Sequence, residues 1–420
     1  MIVIRGGEVL TSHGWDKVDL AVDKGRVVAL DSNVHWSIDI DATGCLVGPG
    51  FVDMHTHLRE PGQTWKEDIA SASTAAIAGG YTAITAMPNT DPPMDNPDVV
   101  ADVLASASRV GLVEVVPSAA LTAGRAGKTP SDLEALHRIG VRLFTDDGDS
   151  VADRALLESV MSRLAGLNGA FVAQHAEDAH RTAGGHMHEG TLSRRLGIGG
   201  LPAAAESDVV ARDLEIVAET GCHYHCQHVS AKMTVELIRT AKESGLPVTA
   251  EVTPHHLTFD DTSLAGLDTD FKMYPPLRSQ ADRRALLDAL ADGTIDVVAT
   301  DHAPHLPAEK AVDFISAPRG VIGLETAAAA TWEALGEKDR FFEVMATKPA
   351  NIVGIENHGM PIEPGSPANI VIFDPKARWT AGEFSSKSSN SPYRDREMMG
   401  QVKATIRDGR LIYEAAVSVA

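Results

Sequence analysis

Cysteine is scarce in this chain: Cys45, Cys222 and Cys226 are the only three among 420 residues. Three is too few, and an odd number, for a disulfide framework, so we expect a reducing compartment. The chain also lacks an apolar run long enough to span a membrane, and residues 1–5 have none of the regions of a signal peptide. These absences predict a soluble cytoplasmic protein.

Basic residues are also few, with 37 Lys and Arg against 58 Asp and Glu, which gives a net charge of -21. Such a charge repels nucleic acid and anionic membranes, so we expect neither as a partner. Hydrophobic residues make up 44% of the chain and charged residues 23%. This composition allows a large core and predicts one large domain with an accessory module.

Both ends of the chain alternate apolar and polar residues, as half-buried strands do. The pattern occurs at residues 17–22 and returns at residues 368–373 and 402–413. We expect the two ends to pair into one small β-sandwich module, formed by residues 1–48 and 355–420.

Residues 49–354 alternate short apolar runs with helical patterns, such as Ser207–Thr220 and Ala281–Ala291. Repeated βα units predict an α/β fold, here a (β/α)8 TIM barrel, with its active site at the carboxyl ends of the strands. The eight runs are Val47–His55, Thr82–Met87, Val113–Ala119, Val141–Thr145, Ala170–His175, His223–His228, Pro247–Val252 and Ile295–Thr300.

A stretch rich in Pro and Ala, Ala303–Ile322, follows the last run and has no predicted secondary structure. A long loop in a compact domain is usually a lid or poorly ordered. We favour a lid, because the stretch carries His305 at the predicted active-site end of the barrel.

Histidines and an aspartate stand at the ends of several runs. His55 and His57 are spaced to chelate one ion from a strand end. His175, His228 and Asp301 close the fifth, sixth and eighth runs. Each alone has an ordinary alternative, a core or surface histidine or a helix cap. Their repeated position at strand ends favours a metal site that activates water.

The fourth run ends in the sequence Thr-Asp-Asp-Gly-Asp at residues 145–149. One of these aspartates could bridge two cations, although an Asp-rich turn is the alternative. Carboxylate and imidazole ligands both suit zinc.

Arg59 and Asn89 stand where they could contact a substrate. Arg59 follows the two histidines closely, and a guanidinium can bind a carboxylate through two hydrogen bonds. Asn89 closes the second run. A surface salt bridge for Arg59 and a turn role for Asn89 are the alternatives.

The histidines and cysteines of residues 222–228 look like a separate zinc site. Strand alternation would send His223 and His225 to the side opposite His228. A closed site needs four converging ligands, so we do not expect one here.

The chain resembles the class I bacterial dihydroorotases of the amidohydrolase superfamily. The resemblance is nearly chain-wide, and the first and fourth motifs together are the most specific. The motifs are Gly50–Gly62 (GFVDMHTHLREPG), Met87–Thr90 (MPNT), Glu251–Leu257 (EVTPHHL), Thr300–His305 (TDHAPH) and Ser385–Tyr393 (SSKSSNSPY).

The resemblance implies reversible zinc-dependent hydrolysis of (S)-dihydroorotate to N-carbamoyl-L-aspartate, in the de novo synthesis of pyrimidines. It implies two Zn2+ ions, with Asp147 as the bridge and Asp146 as the fallback. It implies that Asp301 takes a proton from the attacking water and passes it to the leaving ring nitrogen. The implied metal ligands are His55, His57, Asp147, His175, His228 and Asp301, and the implied substrate contacts are Arg59, Asn89, Tyr274, His305, Arg319 and Gly320.

The chain departs from the family pattern at three positions. Arg142 stands near the place where many relatives carry a bridging carbamylated lysine, so that bridge is absent. Tyr274 replaces a usual Asn that touches substrate. Arg319 replaces a common apolar aromatic residue, and we expect Arg319 and Gly320 to make contacts mainly through their backbone.

Two alternatives remain. An allantoinase or dihydropyrimidinase has the same chemistry, but its neutral substrate would give Arg59 nothing to bind. A weakly active scaffold subunit for aspartate carbamoyltransferase is the other. The resemblance further implies a homodimer or a hetero-oligomer, with aspartate carbamoyltransferase as a possible partner.

Overall fold

The protein is described by a computed structural model that covers residues 1–29 and 36–415. Parts of the predicted β module, residues 30–35 and 416–420, lie outside the described residues. No helix in the described part is long and apolar enough to cross a membrane.

The strands and helices alternate through the middle of the chain. The strands are β1 (Ile2–Arg5), β2 (Glu8–Thr11), β3 (Gly14–Lys17), β4 (Leu20–Asp23), β5 (Arg26–Val28), β6 (Ile38–Asp41), β7 (Leu46–Pro49), β8 (Phe51–Thr56), β9 (Tyr81–Ala86), β10 (Glu114–Ala119), β11 (Leu143–Phe144), β12 (Phe171–Gln174), β13 (Met187–His188), β14 (Gly200–Leu201), β15 (Tyr224–Cys226), β16 (Val248–Val252), β17 (Val297–Val298), β18 (Ile370–Thr380), β19 (Glu397–Arg407) and β20 (Arg410–Glu414). The helices are α1 (Ile69–Ala78), α2 (Pro97–Val110), α3 (Leu133–Arg138), α4 (Arg154–Leu164), α5 (Ala179–Thr182), α6 (Thr191–Leu196), α7 (Ala204–Thr220), α8 (Lys232–Glu243), α9 (Pro254–Thr258), α10 (Gln280–Asp292), α11 (Pro307–Lys310), α12 (Ala327–Leu335), α13 (Lys338–Phe342) and α14 (Lys348–Val353).

Eight parallel strands form a nearly closed barrel in the order β8, β9, β10, β11, β12, β15, β16 and β17. The gap between the first and last strands is bridged by side-chain and backbone hydrogen bonds. Thr300 donates to Asp53 Oδ1 from its backbone nitrogen (3.1 Å) and to Asp53 Oδ2 from its hydroxyl (2.5 Å). The His57 nitrogen donates to the His302 carbonyl at 2.9 Å. The predicted α/β barrel is confirmed.

Each predicted apolar run overlaps one barrel strand, but the first prediction was wrong in detail. Val47–His55 was taken as a single strand, whereas the chain leaves one sheet and enters another at Gly50. β7 pairs with β18 and β2, and only β8 belongs to the barrel. The predicted helices Ser207–Thr220 and Ala281–Ala291 lie within α7 and α10.

The two ends of the chain share one six-stranded sheet, ordered β20, β19, β18, β7, β2, β3. It packs on a four-stranded sheet, β5, β4, β1, β6, and buried side chains from both sheets form a separate core. The core includes Ile4, Val22, Val47, Ile370 and Ile406. This shared core supports our proposal that residues 1–48 and 355–420 are a β-sandwich module and residues 49–354 a barrel domain.

Gly48 in β7 lies where the six-stranded sheet meets the helices around the barrel. A Cβ at this position would lie 2.2 Å from Cε1 of Phe342, a buried ring of α13. Phe342 in turn packs against Phe51 of β8, with ring centroids 5.7 Å apart. Strand β7 can therefore pack this closely against α13 only because position 48 has no side chain.

We predict that Gly48→Ala destabilises the protein by about 1–3 kcal/mol, because Phe342 must move within a close-packed core. Gly266→Ala is the matched control, since its Cβ would meet no heavy atom within 4 Å, and we expect a change within about 0.5 kcal/mol. Thermal unfolding of both variants tests this. Equal melting temperatures of the two variants would show that the contact between Gly48 and Phe342 has room for a methyl group.

Candidate metal centre and adjoining cavity

The predicted ligands converge at the carboxyl ends of the barrel strands. Each comes from the end of a strand or from the residues that follow it, so the barrel itself brings together positions far apart in sequence. All are buried, with at most 6% of each residue exposed: His55, His57, Asp147, His175, His228 and Asp301.

Two groups of donor atoms share Asp147. One comprises His55, His57 and Asp147, and the other Asp147, His175 and His228, with donor atoms within 4.8 Å of one another in each. The neighbouring Asp146 accepts hydrogen bonds from the backbone and hydroxyl of Thr122 instead. Asp147 is thus the aspartate of this turn that faces both pairs of histidines.

The hydrogen bonds of the first group leave lone pairs facing each other. Glu251 Oε1 lies 2.6 Å from His55 Nδ1, so Nδ1 carries the proton and Nε2 is left as an acceptor. That Nε2 lies 3.2 Å from Asp147 Oδ1, which also can only accept. Two acceptors at this distance need a proton or a metal ion between them.

His57 repeats the arrangement. Its Nδ1 donates to Asn89 Oδ1 at 2.8 Å, and its Nε2 lies 2.9 Å from Asp301 Oδ1. Four buried polar atoms of these residues also have no hydrogen-bond partner: His55 Nε2, Asp147 Oδ1, His175 Nε2 and His228 Nδ1. Buried polar atoms are rarely left unpaired, so this donor set fits bound cations.

The charges of the site act in opposite directions on two of its imidazoles. Burial and the neighbouring His228 lower the pKa of His175 to about 3. Burial lowers the pKa of His55, but the carboxylates of Asp147, Glu251 and Asp301 outweigh it and hold that pKa well above its usual value. The site therefore keeps His175 unprotonated and attracts a positive charge to His55.

Three residues of the site have strained backbones. Arg59, His228 and Asp301 have φ angles of 58°, 30° and 47°, in the left-handed region that side chains disfavour. Each such residue costs free energy that the rest of the fold must supply. Their concentration here indicates that the fold keeps these side chains aimed at the site at the expense of stability.

A cavity of about 220 Å³ opens beside the donor groups. Every residue predicted to contact substrate lines it, together with most of the predicted metal ligands. The lining residues are His57, Arg59, Asn89, Asp147, Gly148, His175, His228, Tyr274, Asp301, Ala303, His305, Arg319 and Gly320. His55 lies behind this wall and is fully buried.

Arg59 faces the cavity with its charge poorly compensated. Its Nε atom is buried and has no hydrogen-bond partner. Burial lowers the pKa of Arg59 to about 10, against the opposing effects of Asp301 and Asp147, so the guanidinium remains charged at neutral pH. A buried cation with a free donor in a cavity wall is suited to an anionic ligand.

Arg319 contributes both its backbone and its side chain to the cavity wall. Its carbonyl accepts a hydrogen bond from His305 Nε2 at 2.9 Å. Its guanidinium lies over the Tyr274 ring, 4.0 Å from the centroid, and that ring packs on His175 at 4.8 Å. The two departures from the family pattern thus contact each other in the cavity wall.

Glu251 was missed by the sequence analysis. It bonds to His55, to the backbone nitrogen of His228 (3.1 Å) and to His225 Nε2 (3.1 Å). A signal was present, because Glu251 is a charged residue inside the apolar run Pro247–Val252. It lies one residue before the end of β16, as His55 does in β8.

The predicted direction of His225 was wrong. His225 and His228 both contact Glu251, so both face the barrel interior. Strand β15 ends at Cys226 and the chain turns through the left-handed φ of His228, so the alternation does not reach that residue. Cys222 and Cys226 are buried free thiols, and the donor clusters within residues 1–29 and 36–415 are the two described above.

Known proteins resemble this chain along nearly its whole length. A family model described as Dihydro-orotase-like matches residues 44–234. The dihydroorotase of Mycobacterium tuberculosis (strain ATCC 25618 / H37Rv) is 42% identical, over 98% of this chain and 97% of the relative. The dihydroorotase of Thermus aquaticus is 40% identical, over 99% of this chain and 100% of the relative.

Solved structures share the fold. An L-hydantoinase (dihydropyrimidinase) from Arthrobacter aurescens matches with a TM-score of 0.87 and 24% identity, covering 100% of this chain and 97% of the other. A D-hydantoinase from Bacillus sp. AR9 matches with a TM-score of 0.81 and 24% identity, covering 99% and 95%. The sequence relatives decide the family, and this chain belongs to the dihydroorotases.

Proposed function

We propose that the protein reversibly hydrolyses the cyclic amide of (S)-dihydroorotate to N-carbamoyl-L-aspartate, a step of pyrimidine biosynthesis. The observation that carries this proposal is one cavity that combines two groups of metal donors with the buried guanidinium of Arg59, whose Nε has no hydrogen-bond partner. The donors suit water activation next to an amide. The guanidinium suits a ring that bears a carboxylate.

The proposed cofactors are two Zn2+ ions. His55 and His57 would hold one, His175 and His228 the other, with Asp147 shared and Asp301 as a further ligand. When bound, two such cations lower the pKa of a water and polarise a carbonyl. Glu251 fixes the tautomer of His55, as partners of ligating histidines commonly do.

Asp301 is the proposed general base. Its side chain is buried, and it lines the cavity beside the donors of the first group. Burial raises its pKa, but His55 and His57 outweigh this and lower it, so the carboxylate is ionised and ready to accept a proton. We propose that it passes that proton to the ring nitrogen as the amide bond breaks.

The substrate carboxylate would be bound mainly by Arg59. Asn89 can add its Nδ2, which has only a weak contact of 3.4 Å with Asp147. Both ring nitrogens of His305 already have partners, the Arg319 carbonyl (2.9 Å) and Lys66 Nζ (3.4 Å). His305 must therefore exchange one of these bonds to contact a ligand. We propose Tyr274, Arg319 and Gly320 as the remaining contacts, because they line the same cavity.

Comparison of dihydroorotate, allantoin and dihydrouracil as substrates separates this proposal from the related cyclic amidohydrolases. Turnover of a neutral ring without turnover of dihydroorotate would refute the proposal.

Zinc analysis tests the scaffold alternative, since a non-catalytic subunit has no need of the full donor set. Well under one zinc per chain in protein grown with zinc would support the scaffold.

Location and assembly are also proposals. Three buried free cysteines support a reducing cytoplasm. A homodimer, or a complex with aspartate carbamoyltransferase, rests on the family resemblance alone. Light scattering of the purified protein, with and without aspartate carbamoyltransferase, tests for the homodimer and for the complex.

We predict that Asp301→Asn abolishes both ring hydrolysis and the reverse ring closure, because an amide cannot take up the proton. The melting temperature should remain nearly unchanged. The matched control is Asp288→Asn, an exposed aspartate of α10 outside the cavity lining, which should keep wild-type activity. Steady-state kinetics measure both variants. An active Asp301→Asn enzyme would remove Asp301 as the base.

We predict that Arg59→Gln lowers kcat/KM for dihydroorotate by about 100-fold or more, through the loss of charge-assisted hydrogen bonds to the carboxylate. The control is Arg154→Gln, which removes an exposed arginine paired with Glu215 and Glu219 and should leave kinetics unchanged. A wild-type KM in Arg59→Gln would place the carboxylate elsewhere.

We predict that Glu251→Gln weakens zinc binding about 10- to 100-fold, because His55 loses its charged partner. Competition with a chromophoric chelator measures the affinity. Glu243→Gln, at an exposed helix position, is the control. Equal affinities in the two variants would show that Glu251 does not support the site.

A further inference from the structure

The segment Ala303–Ile322, here called the wall loop, joins β17 to α12 and forms one side of the cavity. It contributes Ala303, His305, Arg319 and Gly320 to the lining. The sequence predicted no secondary structure in it, which was wrong in part, since Pro307–Lys310 forms the helical turn α11. Long loops in such positions are often lids, so what holds this one decides its behaviour.

Asn390 ties the two ends of the wall loop together. It belongs to the C-terminal part of the chain and is only 2% exposed. Its Oδ1 accepts from the backbone nitrogen of His305 at 3.1 Å, and its Nδ2 donates to the carbonyls of Ala303 (3.1 Å) and Gly320 (3.0 Å). Its own carbonyl accepts from the nitrogen of Ile322 at 2.9 Å. All three side-chain bonds go to residues that line the cavity.

Lys272 binds the middle of the same loop. Its ammonium donates to three backbone carbonyls of the loop, those of Phe314 (2.6 Å), Ile315 (2.9 Å) and Ala317 (2.7 Å). Its carbonyl accepts from the nitrogen of Gly320 at 2.9 Å. The residue is 2% exposed, so these charge-assisted bonds form away from water.

Lys310, which lies in the wall loop itself, makes a second contact of the same kind. Its ammonium donates to the carbonyls of Thr269 (2.8 Å), Pro318 (3.0 Å) and Lys272 (3.3 Å). Burial lowers the pKa of both lysines to about 8, which still leaves most of each protonated at neutral pH. An ammonium surrounded by carbonyls anchors several backbone segments at once.

We propose that Asn390 is a positioning residue which, together with Lys272 and Lys310, holds the wall loop in its ligand-binding conformation before any ligand arrives. The loop then acts as a fixed wall and not as a lid. The inference rests on the proposed function only where it assigns His305 and Gly320 to the substrate. A loop that is in the competent conformation for a small fraction of the time weakens apparent affinity by that fraction.

Asparagine suits the position because the loop presents one donor and two acceptors. Asn390→Ala removes all three side-chain bonds. Asn390→Asp keeps an acceptor for the His305 nitrogen but places a second oxygen against the carbonyls of Ala303 and Gly320. Both variants should release the wall loop.

The test uses the zinc-loaded, full-length protein without ligand. Backbone hydrogen exchange across residues 303–322 should become about tenfold faster or more in Asn390→Ala, since protected amides exchange only on opening. KM for dihydroorotate should rise about tenfold or more, with kcat within about threefold and zinc content unchanged. Lys310→Met supplies an independent second variant, in case Asn390→Ala does not fold, and should give the same pattern.

Asn369→Ala is the matched control. Asn369 is 5% exposed, its Oδ1 accepts from the nitrogen of Asp408 at 2.8 Å, and its Nδ2 donates to the carbonyl of Asn357 at 2.9 Å. It should lower the melting temperature without changing exchange in the wall loop or KM. The proposal is overturned by wild-type exchange in both Asn390→Ala and Lys310→Met, or by equal effects of Asn369→Ala. Exchange is measured without substrate, so this result stands apart from whether dihydroorotate is the ligand.

Discussion

The carboxylate of Asp147 is the centre on which the site depends. Four buried imidazole nitrogens surround it, with His55 at 3.2 Å, His57 at 3.6 Å, and His175 and His228 at 3.9 Å each. A carboxylate removed from water in this way needs positive charge close by, or the cost of burial destabilises the fold. The barrel, Glu251 and Asn89 all serve to orient the imidazoles so that such charge can be held between them and Asp147.

The barrel could be predicted because its signals are local. Each run indicates its strand by apolar residues, and several strand ends indicate the site by a polar residue, as at His175 and His228. The family motifs identify the same residues, and the barrel places nearly all of them along one cavity. The spacing alone did not distinguish Asp147 from Asp146, and the family resemblance favoured Asp147; the bond to Thr122 shows that Asp146 turns away.

The errors came from features that depend on distant contacts. Nothing in Pro247–Val252 indicates that Glu251 meets His55, which lies 196 positions earlier. The side of the barrel that His225 faces depends on where β15 ends. A pattern read along the chain carries no information about packing between segments brought together by the fold.

The position of Asn390 also has a consequence for synthesis of the protein. The last proposed metal ligand, Asp301, is made well before Asn390, which follows His305 by 85 residues. Strand β18, which joins the two ends of the chain through β7, is likewise made late. A chain emerging from the ribosome therefore has its complete set of metal donors before one side of the cavity is fixed. The cavity is therefore complete only when the C-terminal segment that carries Asn390 has folded onto the barrel.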